Sequence, residues 1–495
     1  MATVKDITTR CKNGQVQEAY TLAKSDYDSS PDNRWTHREM GWALYYLLKE
    51  DRDNGNFKNL LEHINIFNSL SLLSSPDDDI LFNGILFNIA SFIRNNIDIN
   101  SFDAPAKLST IFSKFRQYSF SPSNGYSFLL SQIIKFRNWK EMLDFLDWWN
   151  LSKLTAEDFN PIKLDNGKKI MSNAEQAYIA KARTLLLFND QNKIKKFLPD
   201  MYELMTSHPE MIFLGYFYGK LLIALGNTSE ESLNVILPFA RKKVNEYWVW
   251  QLLSEVFVSQ TDKQLACLLR AVHCHTDEKF LGKVRIKLAQ ILIDNKQLDY
   301  AKFQIEKVNE CYNEQGWMLP KEIGSWLNET WINDVLSNDR SPLDFIKITN
   351  SILYEQIYED IAVVTFVDQN SHKVFLVYGH EKRIAQKLKI NVTIGSILKI
   401  SYAIDDNKPF IINAKKTDLT SNLPYIKEIE GIIKKKKEWD FAFINYDSGN
   451  AFIAPAIVSK YNVSDGDRAK CLIVYDLDQK KNVWSWVCLT VRIIT

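Results

Sequence analysis

The stretch EWDFAFINYDSGNAFIAPAI, Glu438 to Ile457, sets Phe441, Phe443 and Phe452 at strand spacing around a polar turn. Successive side chains of a strand point to opposite faces, so Phe441 and Phe443 share one side and Ala442 and Ile444 the other. One face has to be core. If the aliphatic residues fill it, the aromatic rings stand on the outer surface, where something can stack on them.

Period-two patterning extends around this hairpin. From Ser341 onward the helical spacing gives way to strands: IAVVTFVDQNSHKVFLVYG reads as two strands about a turn at 368–371. Asn391, Val392, Gly395 and Asp405 recur as Asn462, Val463, Gly466 and Asp476, each displaced by 71 residues. Four identities at one offset predict two copies of a small β-domain, one at 355–417 and one at 426–495. Each is long enough for a five-stranded barrel, with the glycines of VTIGS and VSDGD making a tight turn before the next strand.

The first 345 residues read differently. In NGQVQEAYTLAKSDYDSSPDN, the residues Val16, Ala19, Tyr20, Ala23 and Tyr27 form one apolar helical stripe, stopped at Ser30 and Pro31. Similar phrases recur around Phe197, Leu233, Ala266 and Ala301, at intervals of 36, 33 and 35 residues. A period near 34 is the tetratricopeptide spacing, in which no helix pair buries its apolar face without a neighbour. Ala19 to Pro31 and Phe197 to Pro209 keep that repeat's 12-residue interval, and the other copies lack the proline, so the region resembles a degenerate tetratricopeptide superhelix over 1–345. Its concave surface is the kind that holds a protein partner. Helices are expected through 57–195 as well, without a readable period. The segment WMLPKEIGSWLNETWINDVLSND looks like a terminal cap, with Trp317, Trp326 and Trp331 as core or interface residues.

The second β-copy resembles the cold-shock domain, an oligonucleotide-binding (OB) barrel whose two motifs read approximately KGFGFI and VFVHF. Aligned on them, Phe441 and Phe443 fall on the stacking aromatics of the first motif and Phe452 on the first aromatic of the second. The resemblance implies that these three rings face single-stranded RNA or DNA. Trp439 stands at the motif lysine, Asp440 and Ala442 at its glycines, and Ala454 and Pro455 at the His and Phe of the second motif, which implies a reduced platform. Lys434, Lys435, Lys436 and Lys437 precede the motif strand and are candidates for phosphate contact; a solvated strand end is the plain alternative. In the first copy only Phe366, Phe375 and Tyr378 could be counterparts, and a structural or protein-contact role is expected there. Tetratricopeptide-like helices followed by tandem cold-shock-like barrels resemble the accessory proteins of the bacterial TOTE conflict systems, which implies a role in defence against invading DNA.

The whole chain therefore reads as α+β and multidomain: an all-α superhelix and two small all-β OB or cold-shock-like barrels. Composition agrees with dense folding, at 46% hydrophobic and 13% aromatic residues with only 17 Gly and 13 Pro in 495. Net charge is +1, with 20 Lys and Arg against 17 Asp and Glu from Glu355 on, too small an excess to identify a nucleic-acid binder. The N-terminus has no basic segment followed by an apolar run, and no uncharged stretch is long enough for a bilayer, so a cytoplasmic protein is expected. Six scattered cysteines without a CxxC pair fit a reducing compartment.

Catalytic and cofactor motifs are missing. GYFYGKL at Gly215 is one residue short of a phosphate loop and reads as close helix packing. Cys267, His273, Cys274 and His275 do not make four converging ligands, and Asp77, Asp78 and Asp79 read as the acidic first turn of a helix capped by Ser75 and started by Pro76. No metal, cofactor or catalytic residue is expected. The sequence thus predicts a non-enzymatic adaptor; a pure protein scaffold and an enzyme with its site hidden in 57–195 are the competing readings.

Overall fold

Helix boundaries follow capping chemistry. Thr3 accepts from the Asp6 N–H while the Asp6 carboxylate accepts from the Thr3 N–H, a reciprocal cap that starts the helix Val4–Lys12. Asn33 and Asn56 cap the helices Arg34–Asn54 and Phe57–Ser69. The computed structural model describes residues 2–70, 72, 77–226, 230–405, 407–419, 421–478 and 482–494. They divide into two units, 1–345 and 346–495. Among the described residues no helix is long and apolar enough to cross a membrane.

The first unit is helical. Its later part is a run of helix pairs: Gln191–Ser207 with Phe213–Ala224, Glu230–Lys242 with Tyr247–Val256, Thr261–Val272 with Gly282–Asp294, and Leu298–Glu314 with Lys321–Leu327. Each helix packs on the next in sequence. The repeat anchors fall on the first helix of each pair, with Phe197, Ala266 and Ala301 buried and Leu233 half-buried. Gly219 brings two of these helices together: a Cβ there would sit 2.6 Å from Ile236 Cγ1. The GYFYGKL segment is accordingly a packing surface inside the helix Phe213–Ala224.

Within 57–195 the helices include Asp79–Asn96, Ala104–Phe115, Asn124–Ile133, Met142–Trp149 and Asn173–Phe188. They are interrupted by 3-10 turns and by a small ribbon, β1 (Ile162–Lys163) against β2 (Lys169–Ile170), which the periodicity did not indicate. Aromatic rings fill the centre, with Tyr126 stacked on Trp149 at 4.2 Å. The helix start near Asp79 differs from the sequence reading. Ser75 and Pro76 lie outside the described residues, and Asp78 is ion-paired to Arg38 at 2.7 Å with Asp77 on Arg34 at 2.8 Å, so these carboxylates bind arginines across the fold. Trp326 and Trp331 pack on a core with Ile305, Ile323 and Ile332, while Trp317 is exposed and edge-on to Tyr312.

Among the described residues the second unit holds ten strands. The first five are β3 (Tyr358–Val367), β4 (Val374–Tyr378), β5 (Lys382–Gln386), β6 (Ile397–Asp405) and β7 (Lys408–Lys416), in the order β5-β4-β3-β6-β7. The next five are β8 (Ile426–Lys434), β9 (Ala442–Tyr446), β10 (Gly449–Ile453), β11 (Arg468–Asp478) and β12 (Val483–Ile493), closed into a barrel in the order β10-β12-β11-β8-β9. The two orders are the same topology, and the second is completed by a parallel pairing of β10 with β12. This is the five-stranded OB arrangement. Repeat equivalence extends to hydrogen bonds. Gly395 N–H donates to Val364 and Gly466 N–H to Ile433, each glycine at positive φ and each two residues before its strand.

The first copy departs from the expected barrel. Its edge strands β5 and β7 share no backbone ladder; the Gln386 side chain bridges them, accepting from Ile411 N–H at 2.9 Å and donating to Ile411 C=O at 2.8 Å. A side-chain amide stands where a ladder pair closes the second copy. Tyr378 also differs from its suggested role, because it is core, edge-on to Tyr402.

One buried carboxyl gives a pH test of the helical unit. Glu175 lies within the helix Asn173–Phe188, and burial raises its pKa from 4.5 to about 7, although the Phe213 N–H it accepts pulls the other way. A carboxyl whose folded pKa is raised contributes stability below its unfolded value and loses it as pH climbs through about 7. Glu175→Gln is expected to stabilise the protein at pH 8 by roughly 1–3 kcal/mol and to be near neutral at pH 5. Thermal unfolding midpoints at the two pH values check this.

Candidate nucleic-acid interface

The hairpin β9–β10 turns through Asp447 and Ser448 with Gly449 opposite Tyr446, a two-residue connection. Its register sets Ala442 opposite Ile453 and Ile444 opposite Ala451, and all four are fully buried in the barrel interior. Strand parity then places Phe443 and Phe452 on the outside, directly opposite each other with ring centroids 5.7 Å apart. Phe441, just ahead of β9, is 5.8 Å from Phe443 and 5.7 Å from Phe452. The three rings form one half-buried cluster on the outer face. Across the sheet the row reads Lys434, Phe443, Phe452 and Val487, one residue from each of β8, β9, β10 and β12.

The loop between β8 and β9 supplies the remaining sequence-predicted residues. Trp439 stacks on Phe441 at 4.8 Å with planes 16° apart, and Lys436 Nζ lies 4.8 Å from the Trp439 centroid. One face of the Trp439 ring and one of Phe441 thus cover each other, while Phe443 meets both Trp439 and Phe441 edge-on. Lys435 is half-buried, its main-chain N–H donating to Asp465 Oδ1 at 2.8 Å; Lys434, Lys436 and Lys437 are exposed. None of the four lysines has an ion-pair partner among the described residues. Glu438 and Asp440 are exposed in the same loop and offset two of the four lysine charges. The second motif ends at Ile453: Pro455 opens the short helix Pro455–Tyr461, where its fixed φ and missing N–H are tolerated, so the family's His and Phe have no counterpart in the strand.

Two polar residues extend the face beyond the sequence reading. Asn445 and Asn450 are paired across β9 and β10 one step from the Phe pair, both exposed, next to the exposed Ile432. Their parity with Phe443 and Phe452 was available in the sequence. Base edges can be met by such side-chain amides. In the first β-domain the equivalent pair is Phe375 opposite Ala385, and Phe366 sits across from Phe375 where Lys434 sits across from Phe443. That face carries two rings, Phe366 and Phe375, 5.6 Å apart, but no aromatic residue on β5 and no lysine at the β3 position.

Residues 427–491 match the S1/CSD-like domain 2 of the TOTE conflict systems. The likeness inferred from the aromatic motifs therefore holds for this barrel. Residues 212–348 match a domain of unknown function, DUF7017, which spans most of the regular helix pairs. No curated protein matches the chain. Among the described residues no three His, Cys, Asp or Glu side chains come together as a metal site, and Cys267 is buried while His273 hydrogen-bonds the Leu269 carbonyl.

The platform depends on a close approach behind it. Gly431 of β8 lies so near β9 that a Cβ would run into the Asn445 carbonyl. Gly431→Ala is expected to destabilise the barrel by about 1–3 kcal/mol. Gly324→Ala, in a helix with open space around it, serves as the control and is expected to be slightly stabilising. Comparative thermal melts of the two variants decide the point; equal midpoints would remove the steric role of Gly431.

Proposed function

We propose that the chain is a non-enzymatic adaptor that binds single-stranded nucleic acid on the outer face of β9 and β10 and a protein partner on its tetratricopeptide-like helices, acting in defence against foreign DNA. The observation that carries this reading is the row of Lys434, Phe443 and Phe452 with Phe441 beside it, a cation at the edge of an aromatic platform. Each base stacked on such a ring contributes roughly 1–3 kcal/mol whatever its identity, and the lysines meet phosphates in a salt-dependent way. The match of 427–491 to a conflict-system domain supports the defence setting. The partner role of the helices rests on the repeat spacing and on the general use of stacked helix pairs. The first β-domain is assigned a bracing role.

A purely protein-binding scaffold is the second reading, favoured by the mutual stacking of Trp439 and Phe441, which uses up ring surface inside the protein. Fluorescence anisotropy of the full chain with a labelled single strand of about 12 nucleotides separates the two. Phe441→Ala with Phe443→Ala is expected to weaken binding at least tenfold, the equivalent of about 1.4 kcal/mol. Replacing the four lysines by Gln is expected to flatten the salt dependence. Binding unchanged in the double variant, or no binding at low salt, would leave only the scaffold.

A further inference from the structure

The helical unit contains a cleft of about 850 Å³ that the adaptor reading does not use. It opens where the helix Asn173–Phe188 faces two turns, one carrying Phe102 and the other following the helix Asn124–Ile133. That volume is of small-molecule scale.

Three cations line it: Lys135, Arg137 and Arg183. No carboxylate does, and none of the three has an ion-pair partner among the described residues. Lys135 donates only to Gln132 Oε1, at 2.7 Å, and the Arg183 guanidinium lies 5.0 Å from the Phe217 ring centroid. The nearby Asp103 is occupied by Lys107 at 2.8 Å. All three cations keep exposed side chains on the cleft; partial desolvation lowers the pKa of Arg183 and the charge of Arg137 lowers it further, so the two guanidinium groups are near enough to repel each other. Bringing like charges together without a counter-ion is unfavourable, and a bound anion relieves it.

Other lining groups narrow the anion. Phe102 is fully exposed at the rim, an aromatic ring with both faces available. Asn100 and Asn138 add side-chain amides that pair with the edge of a planar ring, and Gln176, whose Nε2 donates to the Met171 carbonyl at 2.9 Å, adds its amide oxygen. Arginine forks suit phosphate oxygens bidentately. An acidic peptide would use the cations and leave the ring and the amides without a role.

We propose that this cleft binds a nucleoside phosphate, its phosphates on Arg137 and Arg183 and its base against Phe102. The site is independent of the barrel face, and the test is made in the full chain carrying Phe441→Ala and Phe443→Ala so that the barrel adds nothing. Isothermal titration with adenosine and guanosine triphosphates, the two nucleosides, inorganic pyrophosphate and a polyglutamate peptide is the measurement. At least one triphosphate is expected to bind and the nucleosides are not. Arg137→Gln, on an exposed turn, and Arg183→Gln are each expected to lower that affinity about tenfold or more. Phe102→Ala is expected to weaken triphosphate binding without changing pyrophosphate binding. No triphosphate binding up to about 1 mM, affinity unchanged in the arginine variants, or tighter arginine-dependent binding of polyglutamate would each overturn the proposal.

Discussion

The pleat of one short hairpin constrains the C-terminal unit. Closure of five strands leaves an interior into which the hairpin sends Ala442, Ile444, Ala451 and Ile453, to pack with Ile433, Ile473 and Val491 of the other strands, and each of the four adjoins an aromatic residue in sequence. A one-residue slip would drive Phe443 and Phe452 inward and strand four aliphatic side chains on the surface. The small interior and the aromatic exterior are thus one constraint expressed on two faces. Gly431 lets β8 come close enough behind β9 to hold that register.

The first β-domain holds the barrel from the other side. Val363 and Val377 of the first sheet pack with Tyr425, Ile426, Val474 and Leu489 of the second. Tyr425 donates its hydroxyl to Asp360 Oδ1 at 2.7 Å, and Arg383 meets Asp476 at 3.0 Å. Burial raises the Asp476 pKa, and the Arg383 charge opposes that rise. With β12 and β11 anchored on this side, the face of β9 and β10 remains outward. With Ala385 in place of the β10 ring and Phe366 in place of the lysine, the first copy has the same frame with a different face.

Much of this was legible in the sequence because it depends on local periodicity. The 71-residue offset located both β-domains, since a left-handed glycine two residues before a strand repeats as a unit, and it even matches the start of β6 to that of β11. Alternation put Phe441 and Phe443 on one face, and the motif resemblance added Phe452, which the hairpin register sets opposite Phe443. What escaped was non-local. That Gln386 reaches Ile411 to join β5 and β7 depends on two strands 25 residues apart meeting edge to edge, which no pattern within either strand encodes. The stacking of Trp439 on Phe441 depends on the path of a loop. The cationic cleft gathers Phe102, Arg137 and Arg183 from three segments whose spacing follows no repeat, and the ribbon at 162–170 breaks the helical rhythm just where the period becomes unreadable.

The central claim is that bases lie on the outer rings of β9 and β10. Photocrosslinking of the full chain to a single strand containing 4-thiouridine or 4-thiothymidine, with the modified peptides identified by mass spectrometry, tests it most directly. The account predicts adducts within the segments holding Trp439, Phe441, Phe443 and Phe452. Adducts confined to the helical unit or to the first β-domain, with this hairpin unmodified, would contradict it.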